Sequence, residues 1–241
     1  MQEFKEIPEE TAAVEPDFDL YFADFSTIEG TDGLDDRYQK PMIYGGVKAY
    51  SVKYDNAVKL AKDLKLEPGG RFNVIISGAF IFGDFIEAYI VQHNIKVPKI
   101  TITTLSLSQE NVDSLANLVH GGYVDQMNLI ISHYFYANER RGLVPYIYEK
   151  LDIDCKFQLA VAGSHTKTVT FNTTGGKAIV IHGSANLRSS QNIEQFTIED
   201  NQELYDFYNE YQDNIIEKYQ TIKKPIRVKP LWNLITTKKF K

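Results

Sequence analysis

Hydrophobic and polar positions along the chain fall into three stretches of different character. Residues 1–46 show no sustained period: Pro8, Pro16, Pro41 and the run Gly30-Thr-Asp-Gly33 read as an extended arm ending near Gly45-Gly46. From residue 47 the pattern becomes regular. Asp55 is placed to cap a helix with Val58, Leu60, Ala61 and Leu64 on its apolar side, stopped by Pro68-Gly69-Gly70. Residues 72–76 form a short apolar strand, and Gly78 and Gly83 flank the start of a helix carrying Phe85, Ile86, Tyr89 and Ile90. Residues 99–105 alternate like a strand, and Ser108 opens a helix through Leu115 and Leu118 towards Gly121-Gly122. Strand 127–131 precedes a helix over 143–151 with Pro145 near its start. Three strand-like runs follow, 157–162, 167–171 and 178–181. The last helix is predicted from Asp200, with Glu203 in capping-box position and Leu204, Phe207, Tyr208, Tyr211, Ile215 and Tyr219 at helical spacing.

Strand and helix patterns alternate three times before the strands bunch. This predicts an α/β fold, a mixed β-sheet flanked by helices, parallel where helices cross over and antiparallel near residues 157–184. The domain organisation expected is an acidic N-terminal arm (1–46), an α/β domain (47–219) and a basic C-terminal tail (220–241). No internal repeat or low-complexity tract interrupts it.

Composition narrows the class. An aromatic content of 12% excludes disorder of the whole chain. Cys155 is the single cysteine, so no disulfide framework forms within the chain, and its expected role is a buried thiol. No apolar run reaches the roughly 18 residues that span a bilayer. The opening Met-Gln-Glu-Phe-Lys-Glu lacks the apolar region of a signal peptide, so the expected location is the cytoplasm.

The net charge of −6 conceals an uneven distribution. Residues 1–36 carry twelve acids against Lys5 alone, residues 37–217 are nearly balanced at −3, and residues 218–241 carry eight Lys/Arg and no acid. Such a tail, with Trp232 and Phe240 interspersed, suits a nucleic-acid backbone. Both ends also read simply as solvated extensions. From Cys155 to Ile193 the chain holds no Asp or Glu, while Lys156, Lys167, Lys177, Arg188 and two His lie there. A stretch without carboxylates suits a bound phosphate, whose charge a neighbouring carboxylate would oppose.

Within that stretch Thr173-Thr-Gly-Gly176 separates two strand-like runs and reads as a hairpin turn. Centred near Thr174 and Gly175, it sets residue 165 opposite 184 and residue 167 opposite 182. His165, Lys167, His182, Ser184 and Asn186 then share one face. Imidazole is a nucleophile or proton carrier near neutral pH, and Lys and Asn stabilise charge building on phosphoryl oxygens. Glu194 is placed to orient an imidazole. The competing reading is a polar sheet face turned to water.

His165-x-Lys167 followed by Gly183-Ser184-x-Asn186 resembles the HxK…GSxN signature of the phospholipase D superfamily. The longer string Gly-Ser-Ala-Asn-Leu-Arg-Ser-Ser-x-Asn-Ile-Glu-Gln, residues 183–195, is similar to phospholipase D-like proteins of phages and prophages. The resemblance covers about residues 70–220, its specific part 163–196. It implies a single-motif phospholipase D-like domain and a phosphodiesterase mechanism without metal or other cofactor. One motif His attacks phosphorus, a second protonates the leaving group, and water resolves the phosphohistidine. On this resemblance the catalytic set is His165, Lys167, Ser184, Asn186 and Glu194. His165 is nucleophile or acid/base, Lys167, Ser184 and Asn186 hold the phosphate, and Glu194 orients His165 or its partner. The chain departs from the family at Asn172, where an Asp is usual, and in a longer gap from Asn172 to Gly183. The tyrosyl-DNA phosphodiesterase branch also lacks that Asp.

One HxK occurs in 241 residues, whereas the mechanism uses two His. The chain thereby resembles the small bacterial phosphodiesterase nucleases, and the expectation is a homodimer with one composite site on its two-fold axis. The expected function is a DNA nuclease or nickase, with the phage origin that the resemblance of residues 183–195 implies. The alternative is a catalytically silent relative that binds nucleic acid or serves in phage assembly. Phospholipid hydrolysis ranks last, because nothing resembles a membrane anchor. Among other residues, His182 is expected to make local hydrogen bonds, and His93, His120 and His133 to be structural or surface groups. Phe207, Tyr208 and Tyr211 are assigned to the core, and Arg140-Arg141 to a solvated helix start or a nucleic-acid contact.

Overall fold

The computed structural model describes residues 42–45, 48–51, 57–76, 81–154, 156–188 and 192–221. The expectations for Asp55, Gly78, Cys155, Trp232 and Phe240, and for most of the acidic arm and basic tail, lie outside the described residues. In chain order the elements are β1 (Met42–Gly45), β2 (Lys48–Ser51), α1 (Ala57–Asp63), β3 (Arg71–Ile76), α2 (Phe82–Gln92), β4 (Val97–Thr104), α3 (Gln109–His120), β5 (Val124–Ser132), α4 (His133–Glu139), α5 (Leu143–Leu151), β6 (Phe157–Ala162), β7 (Thr168–Asn172), β8 (Ala178–Gly183), β9 (Glu194–Asp200), α6 (Gln202–Tyr219) and β10 (Gln220–Thr221).

The strands form one mixed sheet in the order β10-β6-β5-β4-β7-β8-β9-β3-β1-β2. Only β4–β5 and β5–β6 are parallel, joined by the crossovers through α3 and through α4 and α5. Of the run expected to be antiparallel, β7 and β8 are so throughout, while β6 is parallel to β5 and antiparallel to β10. β1 lies inside the stretch expected to be an arm and pairs with β3, while β10 pairs with β6 at the start of the expected tail.

One face of the sheet carries α1 to α5 over a continuous apolar core that includes Leu60, Phe85, Ile90, Leu115, Leu129, Ile147, Phe171 and Phe196. The other face carries α6, over two small apolar clusters around Ile130 and Val180. Local signals explain the elements. The Ser108 N–H and hydroxyl both donate to Asn111 Oδ1, at 2.8 and 3.1 Å, closing the start of α3. Pro145 sits in the first turn of α5, where its missing N–H costs no helical bond.

Four expectations need correction. Residues 194–200 form a strand, with Phe196 and Ile198 buried on the apolar face between outward Gln195 and Thr197; the period of two was present, but the run is flanked by acids. Asp200 ends that strand, accepting the Ala178 N–H on Oδ1 and the Gly69 N–H on Oδ2. The helix cap is Asn201, whose side chain accepts the Leu204 N–H at 3.0 Å. Helix α4 was not expected at all; Ser132 caps it by accepting the Phe135 N–H at 3.0 Å. Finally, Val58 and Phe207 are exposed, whereas Tyr205 and Gln212 occupy the buried positions of α6. The helix turns a partly polar stripe to the sheet, so apolarity alone misjudges its face.

Candidate active site

The β7–β8 hairpin fixes the first part of the geometry. The Gly176 N–H donates to Thr173 O (3.0 Å), and the Thr173 N–H to Lys177 O (2.9 Å). Gly176 adopts φ +83°, the left-handed conformation glycine tolerates, so the loop uses three residues in place of two. The register moves by one: Thr168 pairs with His182, and Lys167 lies beyond the ladder. A one-residue slip reverses a side chain's face. His182 consequently shares the α6 side with Thr168, and the expected common face of His182 and Lys167 is corrected.

On that side His182 Nε2–H donates to Glu199 Oε1 at 3.1 Å, the local hydrogen-bonding role expected of it. Arg71 (2.6 and 3.1 Å) and Asn201 (3.2 Å) donate to Glu199 Oε2. Burial alone would raise the pKa of this carboxyl group, but the donors outweigh it and hold it below the usual carboxylate value.

Residues 163–167 connect β6 to β7, two strands separated in the sheet by β5 and β4. The connection must therefore cross the C-terminal ends of both, a span of about 14 Å for three strand spacings. Five residues reach it with slack, taken up by a local turn in which the Thr166 N–H donates to Ser164 Oγ at 3.3 Å. Tyr211, from α6, holds the bridge from one side. Its hydroxyl lies 2.9 Å from Ser164 Oγ and 3.2 Å from Thr166 Oγ1, and these two hydroxyls are 2.8 Å apart. The residues on either side of His165 are thus tied to a helix.

His165 is exposed, and the Lys167 ammonium donates to its Nδ1 (3.1 Å) and to its carbonyl oxygen (3.0 Å). Ammonium has no acceptor capacity, so Nδ1 is the unprotonated nitrogen and Nε2 carries the proton. Burial lowers the Lys167 pKa, and attraction to Glu194 opposes this without cancelling it. That attraction couples the His165–Lys167 pair to a second pair, in which the Ser184 hydroxyl donates to Glu194 Oε2. Ser184 is fixed further by the Gln195 N–H on its Oγ (3.0 Å) and by its own N–H on Gln195 O (2.9 Å). The preceding Gly183 cannot carry a side chain, since a Cβ there would lie 2.2 Å from Gln195 O. Asn186 completes the rim by accepting the Leu105 N–H on Oδ1 at 3.3 Å, just past the end of β4.

The predicted residues fall into three local groups at the ends of β4, β6, β8 and β9: His165 with Lys167, Ser184 with Glu194, and Asn186 on Leu105. The carboxylate expected to orient an imidazole takes the Ser184 hydroxyl, and the group on His165 Nδ1 is Lys167. Sequence reasoning missed Tyr211 as a site residue, because its helical spacing assigned it to the core. Its signal was the run of hydroxyls Ser164, Thr166 and Thr168, which needs a polar neighbour. His93 and His120 bond the carbonyls of Ala61 (2.8 Å) and Lys150 (3.2 Å), in structural roles. Arg140 caps the C-terminus of α4, and Arg141 lies in the turn before α5. Among the described residues, no cluster of three His, Cys, Asp or Glu could hold a metal ion, and no helix is long and apolar enough to cross a membrane.

No family model matches the sequence, and no curated protein matches it. Several solved structures are similar over part of the chain. Nuc from Salmonella typhimurium, a phospholipase D family member, is 15% identical over 52% of this chain and 82% of its own, with a TM-score of 0.41. NucT from Helicobacter pylori is 12% identical over 63% of this chain and 99% of its own, with a TM-score of 0.46. Phosphatidylserine synthase from Haemophilus influenzae Rd KW20 is 15% identical over 70% of this chain and 45% of its own, with a TM-score of 0.45.

Proposed function

We propose that the chain is a phosphodiesterase acting on DNA, a nuclease or nickase, that works without a metal through a phosphohistidine at His165 in a homodimer. The observation that supports this reading is the rim itself: an exposed imidazole beside an ammonium of lowered pKa, with a hydroxyl–carboxylate pair electrostatically coupled to that ammonium. A phosphodiester arriving there offers Lys167 a stronger acceptor than His165 Nδ1. Lys167 then turns to the phosphate, and the released imidazole can shift its proton to Nδ1.

In the chemical step His165 Nε2 forms a bond to phosphorus as the P–O bond to the leaving group breaks. The departing oxygen takes a proton from the imidazole of the second copy. Water next attacks phosphorus and the P–N bond breaks, the water's proton passing to that same second imidazole. Lys167 and Asn186 neutralise charge on the non-bridging oxygens, and Ser184 and Glu194 fix the strand ends that hold them.

Plasmid DNA incubated with the protein in EDTA tests the reading. Nicking is expected to survive chelation and to disappear in His165→Ala, with acid-labile phosphate trapped on His165 in the unmodified protein. A monomer by light scattering that cleaves DNA would overturn the dimeric site. The second reading is a silent nucleic-acid-binding or phage-assembly protein. What favours it is the resting proton on Nε2, which leaves His165 a donor and not a nucleophile. DNA binding without cleavage under any condition would select it.

A further inference from the structure

We infer that His133 is a second imidazole of the phosphate site, supplied by the same chain as His165, and that it donates a hydrogen bond to a non-bridging oxygen of the bound phosphodiester. The inference rests on the phosphate-site reading above and adds a residue that the HxK…GSxN pattern does not contain.

The argument begins with topology. β5 ends at Ser132, which pairs with Ala162 at the end of β6, and His133 is the next residue. Beyond the sheet on the neighbouring strand the next residue is Gly163, the first of the bridge to β7. A Cβ at Gly163 would lie 3.7 Å from both Cε1 and Nδ1 of His133, so the ring rests against the bridge at its first residue. At the far end of the bridge, the pairing of Thr103 with Thr168 sets Lys167 at the level of Thr104. His165 is the central residue between these anchors, over the ends of β5 and β4.

The sides of the bridge agree with this. Ser164 and Thr166 face α6, where Tyr211 bonds both. Gly163 faces the other way, towards the layer holding α4, since His133 is its neighbour. Lys167 precedes Thr168, whose hydroxyl faces α6 on Gln212, so it too points away from α6, and its ammonium holds His165 beside it. Hydrogen bonds link Ser132, the residue before His133, to the rest of the rim. The Ser132 hydroxyl donates to Leu105 O at 3.0 Å, and the Leu105 N–H donates to Asn186. His133 is half-buried at the first position of α4, whose cap at Ser132 fixes its backbone.

An imidazole in that place acts in the way Lys and Asn act, as a fixed donor aimed at phosphoryl oxygen. It differs from the second copy's His165, which the mechanism uses on the leaving oxygen. The chain then contributes two imidazoles to one phosphate, and the partner a third.

The test is a titration of the full-length protein with inorganic phosphate, followed through the imidazole ¹⁵N resonances. The chain has five His, so single His→Gln variants assign every signal. His133 and His165 are expected to shift together with one midpoint, and His133→Gln to weaken that midpoint about tenfold. Movement of His165 with His133 unmoved would overturn the inference and leave the phosphate site standing. Movement of His133 alone, or two different midpoints, would overturn it also. If neither moves, the phosphate-site reading itself fails and the inference with it. The titration of the unmodified protein decides among these outcomes even where His133→Gln does not fold.

Discussion

The two faces of the sheet are built on different principles. Beneath α1 to α5 the sheet is apolar, and Phe85, Phe171 and Phe196 are fully buried in one continuous core. Beneath α6 the buried groups include Thr101, Thr103, Thr168, Thr170, Asn128 and Gln212. Gln212 gathers three of them: Thr170 donates to its Oε1 at 2.5 Å, and its Nε2 donates to Thr103 and Thr168, each at 3.1 Å. Glu199, with Arg71, His182 and Asn201, is a second polar cluster on the same side. The apolar face carries most of the hydrophobic stabilisation, which is proportional to area and indifferent to direction. The polar face fixes where α6 sits, because hydrogen bonds are directional and a misplaced helix would strand buried groups. That placement matters for Tyr211, the next residue to Gln212, which holds the bridge bearing His165.

Breaking the apolar face should have the largest effect on stability. Phe171→Ala leaves a cavity in the core and is expected to cost about 3–5 kcal/mol, read from denaturant midpoints. A loss below about 1 kcal/mol would mean the two faces do not differ as described. On the polar face, Gln212→Ala strands buried threonine hydroxyls and should cost about 1–3 kcal/mol. It should also reduce the proposed DNA cleavage, since Tyr211 loses its footing; stability falling with full activity would separate helix placement from the site.

Glu199→Gln probes the same face through pH. The folded-state pKa of Glu199 is lowered, so its ionised form stabilises the fold above the ordinary carboxylate value, and that contribution is lost as pH falls through the lowered one. Urea midpoints measured from pH 7 to pH 3 should fall less steeply for the variant; identical slopes would remove Glu199 from the acid response. The smallest stability change is expected for Tyr211→Phe, about 1 kcal/mol or less. Its turnover should nevertheless drop about tenfold with KM unmoved, because the bridge keeps its charge and loses its orientation. A KM increase at constant kcat would show instead that Tyr211 serves binding.

Much of this was legible along the chain. The α3 start at Ser108, the bounds of α5 and β6 and the order of helices and strands follow from period, caps and Gly/Pro punctuation, all local physics. The five candidate residues came instead from the family resemblance carried by two short segments, 165–167 and 184–194. Strand β9 was missed because acids flank its two inward apolar residues, and α4 because seven residues give little period to read.

Sequence by itself determined most of the helices and strands between residues 57 and 183, the alternation that makes the fold α/β, and the residue types able to meet a phosphate. Tertiary structure alone decided which of them meet. A third loop residue at Gly176 turned His182 away from Lys167, since a strand's side-chain period is two and a shift of one reverses the face. The strand order carried residues 163–167 across β5 and β4 and so brought His133 and Leu105 beneath the bridge. Both outcomes depend on contacts between residues distant in the chain, which no local period encodes.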